Sequence, residues 1–217
     1  MKNGITTDGS ITMDKADFRS AVERLRLQGY DMYPDRVRIQ IPNAKELLQQ
    51  GLQYFLGDSA QWLPCYDEIA AWMTDNQGRG LLCMGNCGLG KTLICGSILP
   101  TILLTYSRKV MATFSAIDIN DRTREVMNNK LAFIDDIGTE PEAVRFGERH
   151  LSFSEIVDNA EKKSNLLVIT TNLRTSHKTD ADGNPIPSIE YKYGIRTLDR
   201  LKAITKVVKF TGKSFRK

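Results

Sequence analysis

One stretch of the chain has the residue types and the spacing that bind a polyphosphate. It fits the pattern G-x-x-x-x-G-K-[ST], with Lys91 and Thr92 in the last two places. Glycines let the backbone curl so that successive N–H groups point at one anion, while the lysine bridges the β- and γ-phosphates and the threonine hydroxyl ligates Mg²⁺. The sequence therefore predicts an ATP and Mg²⁺ site formed by Gly85, Asn86, Cys87, Gly88, Leu89, Gly90, Lys91 and Thr92.

Two carboxylates follow an apolar segment further along the chain. Residues 131–134 lead directly into Asp135 and Asp136. After a phosphate loop, such a pair is typical of ATP hydrolysis: the first acid lies on the Mg²⁺ side, and the second orients or deprotonates the attacking water. Taken alone, the pair also fits the start of a turn.

A polar residue, Asn172, ends a second apolar segment, residues 166–171. If that segment is a strand beside the acidic one, the amide of Asn172 would hydrogen-bond the γ-phosphate or the attacking water. The alternative interpretation is an ordinary turn residue after a strand.

Strands and helices must alternate to hold these residues in place. Apolar segments from Gly80 onward predict strands at 81–84, 110–114, 131–134, 166–171 and 205–210. Helices are expected after Lys91, from 115 to about 128, around 152–163 and at 195–204, with Pro100 ending or kinking the first of them. This alternation predicts an α/β fold, a parallel sheet with helices on both faces.

The overall composition is that of an ordinary globular protein of 217 residues, 41% hydrophobic and 26% charged. No apolar run approaches the length of a membrane span and no secretory signal is visible, so we expect a cytoplasmic protein. The net charge of +4 permits nucleic-acid binding without requiring it. We predict an ATPase domain at 58–217 and an N-terminal helical segment at 1–57, which either docks a partner or packs on the core.

Two arginines in the last predicted helix, Arg196 and Arg200, are four residues apart and therefore share one face. Unpaired arginines there could reach the γ-phosphate held by a neighbouring subunit. The alternative is that both are solvated surface residues.

The motifs occur together, in this order, in a known family. FIDDIGTE (133–140), VITTN (168–172), YGIRTLDRL (193–201) and GKSFR (212–216) follow the phosphate loop. Over residues 60–217 the chain resembles the AAA+ ATPases of the bacterial helicase-loader family, the DnaC and DnaI type, and equally the IstB-type ATPases that assist transposases. The resemblance implies a P-loop NTPase fold of the AAA+ (ASCE) type, without room for a full C-terminal lid.

The resemblance also implies roles and partners. The implied roles are Mg²⁺-side acid for Asp135, catalytic acid for Asp136, sensor for Asn172, arginine finger in trans for Arg200, accessory arginine for Arg196 and second sensor for Arg216. The implied partners are a replicative helicase or a transposase, single-stranded DNA, and further copies of the chain in a nucleotide-dependent oligomer. The segment that helps relatives bind single-stranded DNA, residues 115–130, is short here and has Arg122, Arg124 and Lys130 as its basic residues.

Three functions are compatible with these features. The first is a nucleotide switch in DNA replication or transposition that hydrolyses ATP slowly unless oligomerised, because an arginine finger contributes roughly 10³ to 10⁵ in rate. The second is a binding module with vestigial turnover, against which the two acids argue. The third is a small-molecule kinase, which needs an arginine-rich lid segment that the sequence does not show.

Overall fold

The computed structural model describes residues 4–5, 11–12, 14–30, 34–141, 143–145, 148–180, 182–212 and 214. They form two compact units, Met1–Asp35 and Arg36–Lys217. In the first unit, strands β1 (Gly4–Ile5) and β2 (Ile11–Thr12) pair antiparallel, and helix α1 (Lys15–Leu27) follows. The side chain of Asp14 caps α1 by accepting a hydrogen bond from the N–H of Ala16.

The larger unit is built on a five-stranded parallel sheet. Its strands lie in the spatial order β11 (Thr205–Phe210), β3 (Gly80–Gly85), β8 (Leu166–Thr171), β5 (Leu131–Ile137) and β4 (Ala112–Ser115). Because every neighbouring pair is parallel, the carboxyl ends of all five strands meet at one edge. Strand β8 lies between the strand that leads into the phosphate loop and the strand that carries the acidic pair.

Helices cover both faces of this sheet. Strand β3 shows the division: Leu81 and Cys83 belong to one hydrophobic core, and Leu82 between them belongs to the other. The first core receives side chains from α2 (Ala44–Leu56), α3 (Pro64–Thr74) and the helical segment after the phosphate loop. The second receives them from α6 (Ile119–Asn128), α7 (Ser152–Lys163), α8 (Ile189–Tyr193) and α9 (Ile195–Ile204). The predicted α/β class, a parallel sheet with helices on both faces, is confirmed.

The helical segment after the phosphate loop continues past the expected break. It consists of α4 (Lys91–Leu93), a π-helical turn (Ile94–Ile98) and α5 (Leu99–Ser107). The N–H of Leu99 donates to the carbonyl of Ile94, five residues earlier, and the next residue, Pro100, has no N–H to place. The π turn therefore lets the helix run through Pro100, where the sequence predicted an end or a kink.

The division into units differs from the predicted boundary after residue 57. Helix α2, assigned from sequence to the N-terminal segment, buries Leu48 and Leu52 in the core of the larger unit. Gly51 approaches the helix after the phosphate loop so closely that a Cβ there would lie 2.4 Å from a methyl carbon of Ile98. Burial of its apolar face thus attaches α2 to the larger unit.

The larger unit also contains two short antiparallel strand pairs. Strands β6 (Ala143–Arg145) and β7 (Glu148–His150) pair after the acidic strand, and β9 (Lys178–Thr179) pairs with β10 (Pro185–Ile186) in the segment before α8. Among the described residues, no helix is both long and apolar enough to span a membrane.

Candidate functional site

The predicted phosphate loop connects the end of β3 to the start of α4. Gly85, Gly88 and Gly90 all have positive φ angles, of 128°, 77° and 81°. At Gly85 a Cβ would lie 2.1 Å from the carbonyl oxygen of Phe210 in the neighbouring strand, and at Gly90 it would lie 3.0 Å from the hydroxyl of Tyr66. Glycine is therefore needed here both for backbone conformation and for space.

The ammonium group of Lys91 lies inside the loop. It donates hydrogen bonds to the carbonyl oxygens of Gly85 (2.8 Å) and Asn86 (2.7 Å) and to Oδ1 of Asn172 (3.0 Å). The residue is 7% exposed, and burial lowers the pKa of Lys91, an effect opposed by the nearby Cys87 and Asp136. No carboxylate in the described part of the chain forms an ion pair with Lys91, so its charge is balanced only by dipoles and more distant groups.

The first acid, Asp135, faces the phosphate loop. Its Oδ1 accepts a hydrogen bond from the hydroxyl of Thr92 at 2.9 Å and another from the hydroxyl of Thr170 at 2.6 Å. Thr92 is the last residue of the phosphate motif, so the two metal-side residues predicted from sequence are in direct contact.

The second acid, Asp136, has a left-handed backbone conformation with φ of 60°. The pairing of β5 with β8 shifts register between Ile134 and Ile137, so that the acidic pair forms an irregularity in the strand. Left-handed backbone is costly for a residue other than glycine, and such strain is commonly found at functional sites.

Asn172 joins the lysine to the second acid. Its Oδ1 accepts from Lys91, and its Nδ2 donates to Oδ1 of Asp136 at 2.9 Å. These three residues, together with Thr92, line one cavity of about 370 Å³ at the carboxyl edge of the sheet. The structure thus brings together the phosphate loop, the acidic pair and the predicted sensor.

One residue of this site, Thr170, was missed in the sequence. The hydroxyl of Thr170 donates to Asp135 and accepts from the N–H of Asp136 at 2.8 Å, so it holds both acids at once. The hydroxyl of Tyr66 donates to the carbonyl of Leu89 at 3.0 Å, and burial raises the pKa of Tyr66 to about 12. The available signal was the pair of hydroxyl residues, Thr170 and Thr171, that ends an otherwise apolar, fully buried strand just before the sensor.

Arg196 and Arg200 are not among the described residues that line the cavity. Arg200 lies on α9 and forms ion pairs with Asp158 and, at 3.1 Å, with Glu161, both on α7. Arg196, one turn earlier, is exposed, and Arg216 lies outside the described residues. In the single chain, Arg200 is therefore engaged by two carboxylates, whereas the sequence interpretation required an unpaired side chain.

The wall of the cavity opposite the acids comes from the region after α2. Leu56 and Ser59 line it beside Tyr66 and the loop residue Cys87. Leu56, which is 38% exposed, provides an apolar surface next to the phosphate loop on which a nucleoside could lie, whereas Tyr66 is buried.

Comparison with known proteins gives similarities of overall structure only. No model of a protein family matches the chain. No curated protein matches its sequence. A crystal structure of DnaI is 17% identical with a TM-score of 0.48, covering 89% of this chain and 93% of that one. The DnaC helicase loader is 15% identical with a TM-score of 0.45, covering 85% and 96%, and AMPPCP-bound DnaA from Aquifex aeolicus is 14% identical with a TM-score of 0.40, covering 61% and 40%. At these values, function has to be inferred from the residues of the site.

Proposed function

We propose that this chain binds ATP together with Mg²⁺ and hydrolyses it slowly, as a nucleotide switch that acts with DNA and a partner protein. The observation that carries the proposal is the chain of contacts Lys91–Asn172–Asp136, whose members line one cavity, beside the contact of Thr92 in the same cavity with Asp135. A lysine, an amide and two carboxylates converging at the carboxyl edge of a parallel sheet are the groups that phosphoryl transfer to water requires.

Phosphate binding would use the loop and the lysine. The loop precedes a helical segment that extends from Lys91 to Ser107, and the free N–H groups at the start of a helix favour an anion. The ammonium of Lys91 now rests on three neutral oxygens, and a polyphosphate offers it charged ones. Because hydrogen bonds to charged oxygens are stronger, replacing the three neutral oxygens by phosphate oxygens would stabilise the ATP-bound state relative to the free state.

The residues also fit a divalent cation. The hydroxyl of Thr92 donates a hydrogen bond to Asp135, so the lone pairs of the Thr92 oxygen remain available for a metal. Oxygen ligands are those that Mg²⁺ prefers. When bound, Mg²⁺ would neutralise charge on the β- and γ-phosphates. Thr92 would hold the ion directly, and Asp135, fixed by Thr170, would hold it directly or through water.

Water activation would be the role of Asp136. Its carboxylate faces the same cavity as Lys91 and is oriented by the amide of Asn172. A carboxylate in that place can orient a water or take its proton, a contribution of roughly 10² to 10⁴ in rate. The same amide lies between Lys91 and Asp136, so its hydrogen bonds would change when Lys91 binds a phosphate.

The arginine-bearing helix would make hydrolysis depend on assembly. Neither Arg196 nor Arg200 lines the cavity of its own chain, so either one would act on a nucleotide site only in another copy. Arg200 would first have to leave Asp158 and Glu161. We therefore expect the isolated chain to turn over slowly and a nucleotide-bound oligomer to turn over faster.

The partner assignment rests on the four motifs that follow the phosphate loop. They fit a replicative helicase as partner, in which case the chain acts as a helicase loader in DNA replication, but they do not distinguish a helicase from a transposase. The alternative is an IstB-type helper ATPase that serves a transposase. Single-stranded DNA would be bound in either case.

Nucleotide binding is the first test. We expect a fluorescent ATP analogue to bind the wild type in the presence of Mg²⁺ and binding to be lost in Lys91→Ala. The matched control is Lys178→Ala, which removes an exposed lysine from strand β9 and should bind as the wild type does. Normal affinity in Lys91→Ala would refute the loop assignment.

Light scattering with the replicative helicase of the host tests the partner. A complex whose mass changes between ATP and ADP would support a helicase loader. Absence of a complex in both states would favour the transposition helper. Binding of ATP with turnover at the instrument floor under every condition would instead favour a binding module.

A further inference from the structure

A buried carboxylate outside the nucleotide cavity joins the acidic strand to the helix that precedes the arginines. The side chain of Glu140 is 7% exposed and forms an ion pair with Lys192 at 2.9 Å. Its Oε2 accepts a hydrogen bond from the N–H of Gly138 at 2.8 Å, and the hydroxyl of Tyr193 donates to Oε1, the oxygen that Lys192 contacts. Glu140, Lys192 and Tyr193 are called the Glu140 cluster below.

The Glu140 cluster forms hydrogen bonds with the backbone that follows the acidic pair. Besides its ion pair, Lys192 donates to the carbonyl oxygen of Gly138 at 2.8 Å. The N–H and the carbonyl of Gly138 are thus both bound, one by Glu140 and the other by α8. Because charged hydrogen bonds in a buried setting are strong and costly to leave unmade, this loop and α8 should move together.

On one side, the cluster is connected to the catalytic acid. The N–H and the hydroxyl of Thr139 both donate to the backbone carbonyl of Asp136, at 3.2 and 2.9 Å. The carboxylate of Asp136 is bound by Asn172, which is bound by Lys91. An anion that draws Lys91 away from Asn172 therefore acts on a group one hydrogen bond from Asp136.

On its other side, the cluster adjoins the arginine helix. Tyr193 is the last residue of α8, and only Gly194, with φ of 85°, separates it from α9. Helix α9 carries Arg196 and Arg200. A shift of α8 would be passed to the first turn of α9 through this one residue, which can change its backbone angles at low cost.

We propose that the Glu140 cluster positions the arginine helix according to the state of the nucleotide site, an inference that rests on the proposed ATP binding. Glu140 and Lys192 are positioning residues: neither lines the nucleotide cavity, and both act through α9. The physical requirement is one rigid connection, from Asp136 through Gly138 to α8, which meets α9 at the flexible joint of Gly194.

Hydrogen exchange with and without a non-hydrolysable ATP analogue tests the proposal in the full chain. In the wild type, the analogue should change exchange in the phosphate loop, in 135–140 and in 195–204. In Glu140→Gln and in Lys192→Met, the changes in the phosphate loop should remain and those in 195–204 should be lost. Affinity for the analogue should stay within about twofold, because neither residue lines the cavity.

This measurement distinguishes positioning of α9 from a purely structural role of the cluster. If the cluster only stabilised α9, its loss would speed hydrogen exchange of α9 equally with and without the analogue, and the nucleotide-dependent difference in exchange would remain. Glu190→Gln is the matched control, because it also removes a carboxylate and lies on α8, beside Lys192. The carboxylate of Glu190 accepts a hydrogen bond from the N–H of His177 and does not contact the loop after the acidic strand. The doubly substituted Glu140→Gln/Lys192→Met chain, which leaves no unpaired charge, should lose the difference too and guards against simple unfolding.

The outcomes distinguish this proposal from the function on which it rests. Wild type that shows no change in the phosphate loop would refute ATP binding itself. A change there with none in 195–204 of the wild type would refute the connection alone. The connection would also be refuted if Glu140→Gln or Lys192→Met kept the full nucleotide-dependent change in exchange at 195–204.

Discussion

Replacing Thr170 by valine should uncouple hydrolysis from ATP binding. Valine has nearly the same shape as threonine but no hydroxyl, and Thr170 is 1% exposed, so the change removes hydrogen bonds with little effect on packing. Asp135 would lose a donor at 2.6 Å, and the N–H of Asp136 would lose its acceptor at 2.8 Å. Both acids would then be free to leave their present orientation.

The size of the effect follows from these two bonds. Loss of a hydrogen bond to a charged acceptor and of the acceptor of a backbone N–H should destabilise the fold by about 2 to 4 kcal/mol. For a chain of this size, that lowers the melting temperature by about 4 to 16 °C. A displacement of the acids by about 1 Å should reduce kcat by roughly 100-fold. The affinity for ATP should not change, because Thr170 contacts the acids and not Lys91.

The assay compares three proteins: wild type, Thr170→Val and Thr170→Ser. Serine keeps the hydroxyl, so it should retain most of the hydrolysis rate that valine loses. Steady-state phosphate release, binding of a fluorescent ATP analogue and thermal melting are measured for each. Valine that hydrolyses ATP at the wild-type rate, or serine that is as slow as valine, would refute the view that this hydroxyl holds the acidic pair.

Three further predictions concern groups of the site and the arginine helix. Burial lowers the pKa of Lys91, and triphosphate favours its protonated form, so ATP affinity should be full at neutral pH and fall as pH rises through that lowered pKa, before the ordinary pKa of lysine is reached. Titrating affinity against pH checks this, and the same slope in Lys91→Arg would contradict it. Asp136→Asn keeps an oxygen for Asn172 and tolerates left-handed backbone, so it should bind ATP normally and lose roughly 10² to 10⁴ of the rate; unchanged phosphate release would exclude Asp136 as the base. Arg200→Ala should lose the rate increase that appears at high protein concentration, with ATP binding retained, and the same loss in Arg196→Ala but not in Arg200→Ala would transfer the trans role to Arg196.

Part of the site could be predicted because its signals are local. The spacing of Gly85, Gly90, Lys91 and Thr92 is set by the size of a phosphate group and needs no tertiary context. The strands at 166–171 and 205–210 and the helices at 152–163 and 195–204 were predicted with the bounds observed, because long apolar or periodic segments identify themselves. The proximity of Asn172 to the acidic pair followed from parallel strands ending at one edge.

Contacts between distant segments were not predictable in this way. In the sequence Thr170 is one more strand residue, and only the register of β5 against β8 places its hydroxyl between the carboxylate of Asp135 and the N–H of Asp136. The pairing of Arg200 with Asp158 and Glu161 depends on how α9 packs on α7, and the nearest acid in sequence, Asp199, is not the partner. The attachment of α2 to the core depended in the same way on a close approach of Gly51 to Ile98.

The sequence by itself determined the phosphate loop, the α/β class and the order of the strands along the chain, because these depend on residue spacing and hydrophobic period over short distances. Only the tertiary structure decided which side chains hold the acids, that the helix runs on through Pro100, and that Glu140 ties the acidic strand to α8. These depend on strand register, helix packing and a π turn, where a shift of one residue or a few ångströms changes every partner. Hydrogen bonds act over such short distances that no pattern along the chain can specify them.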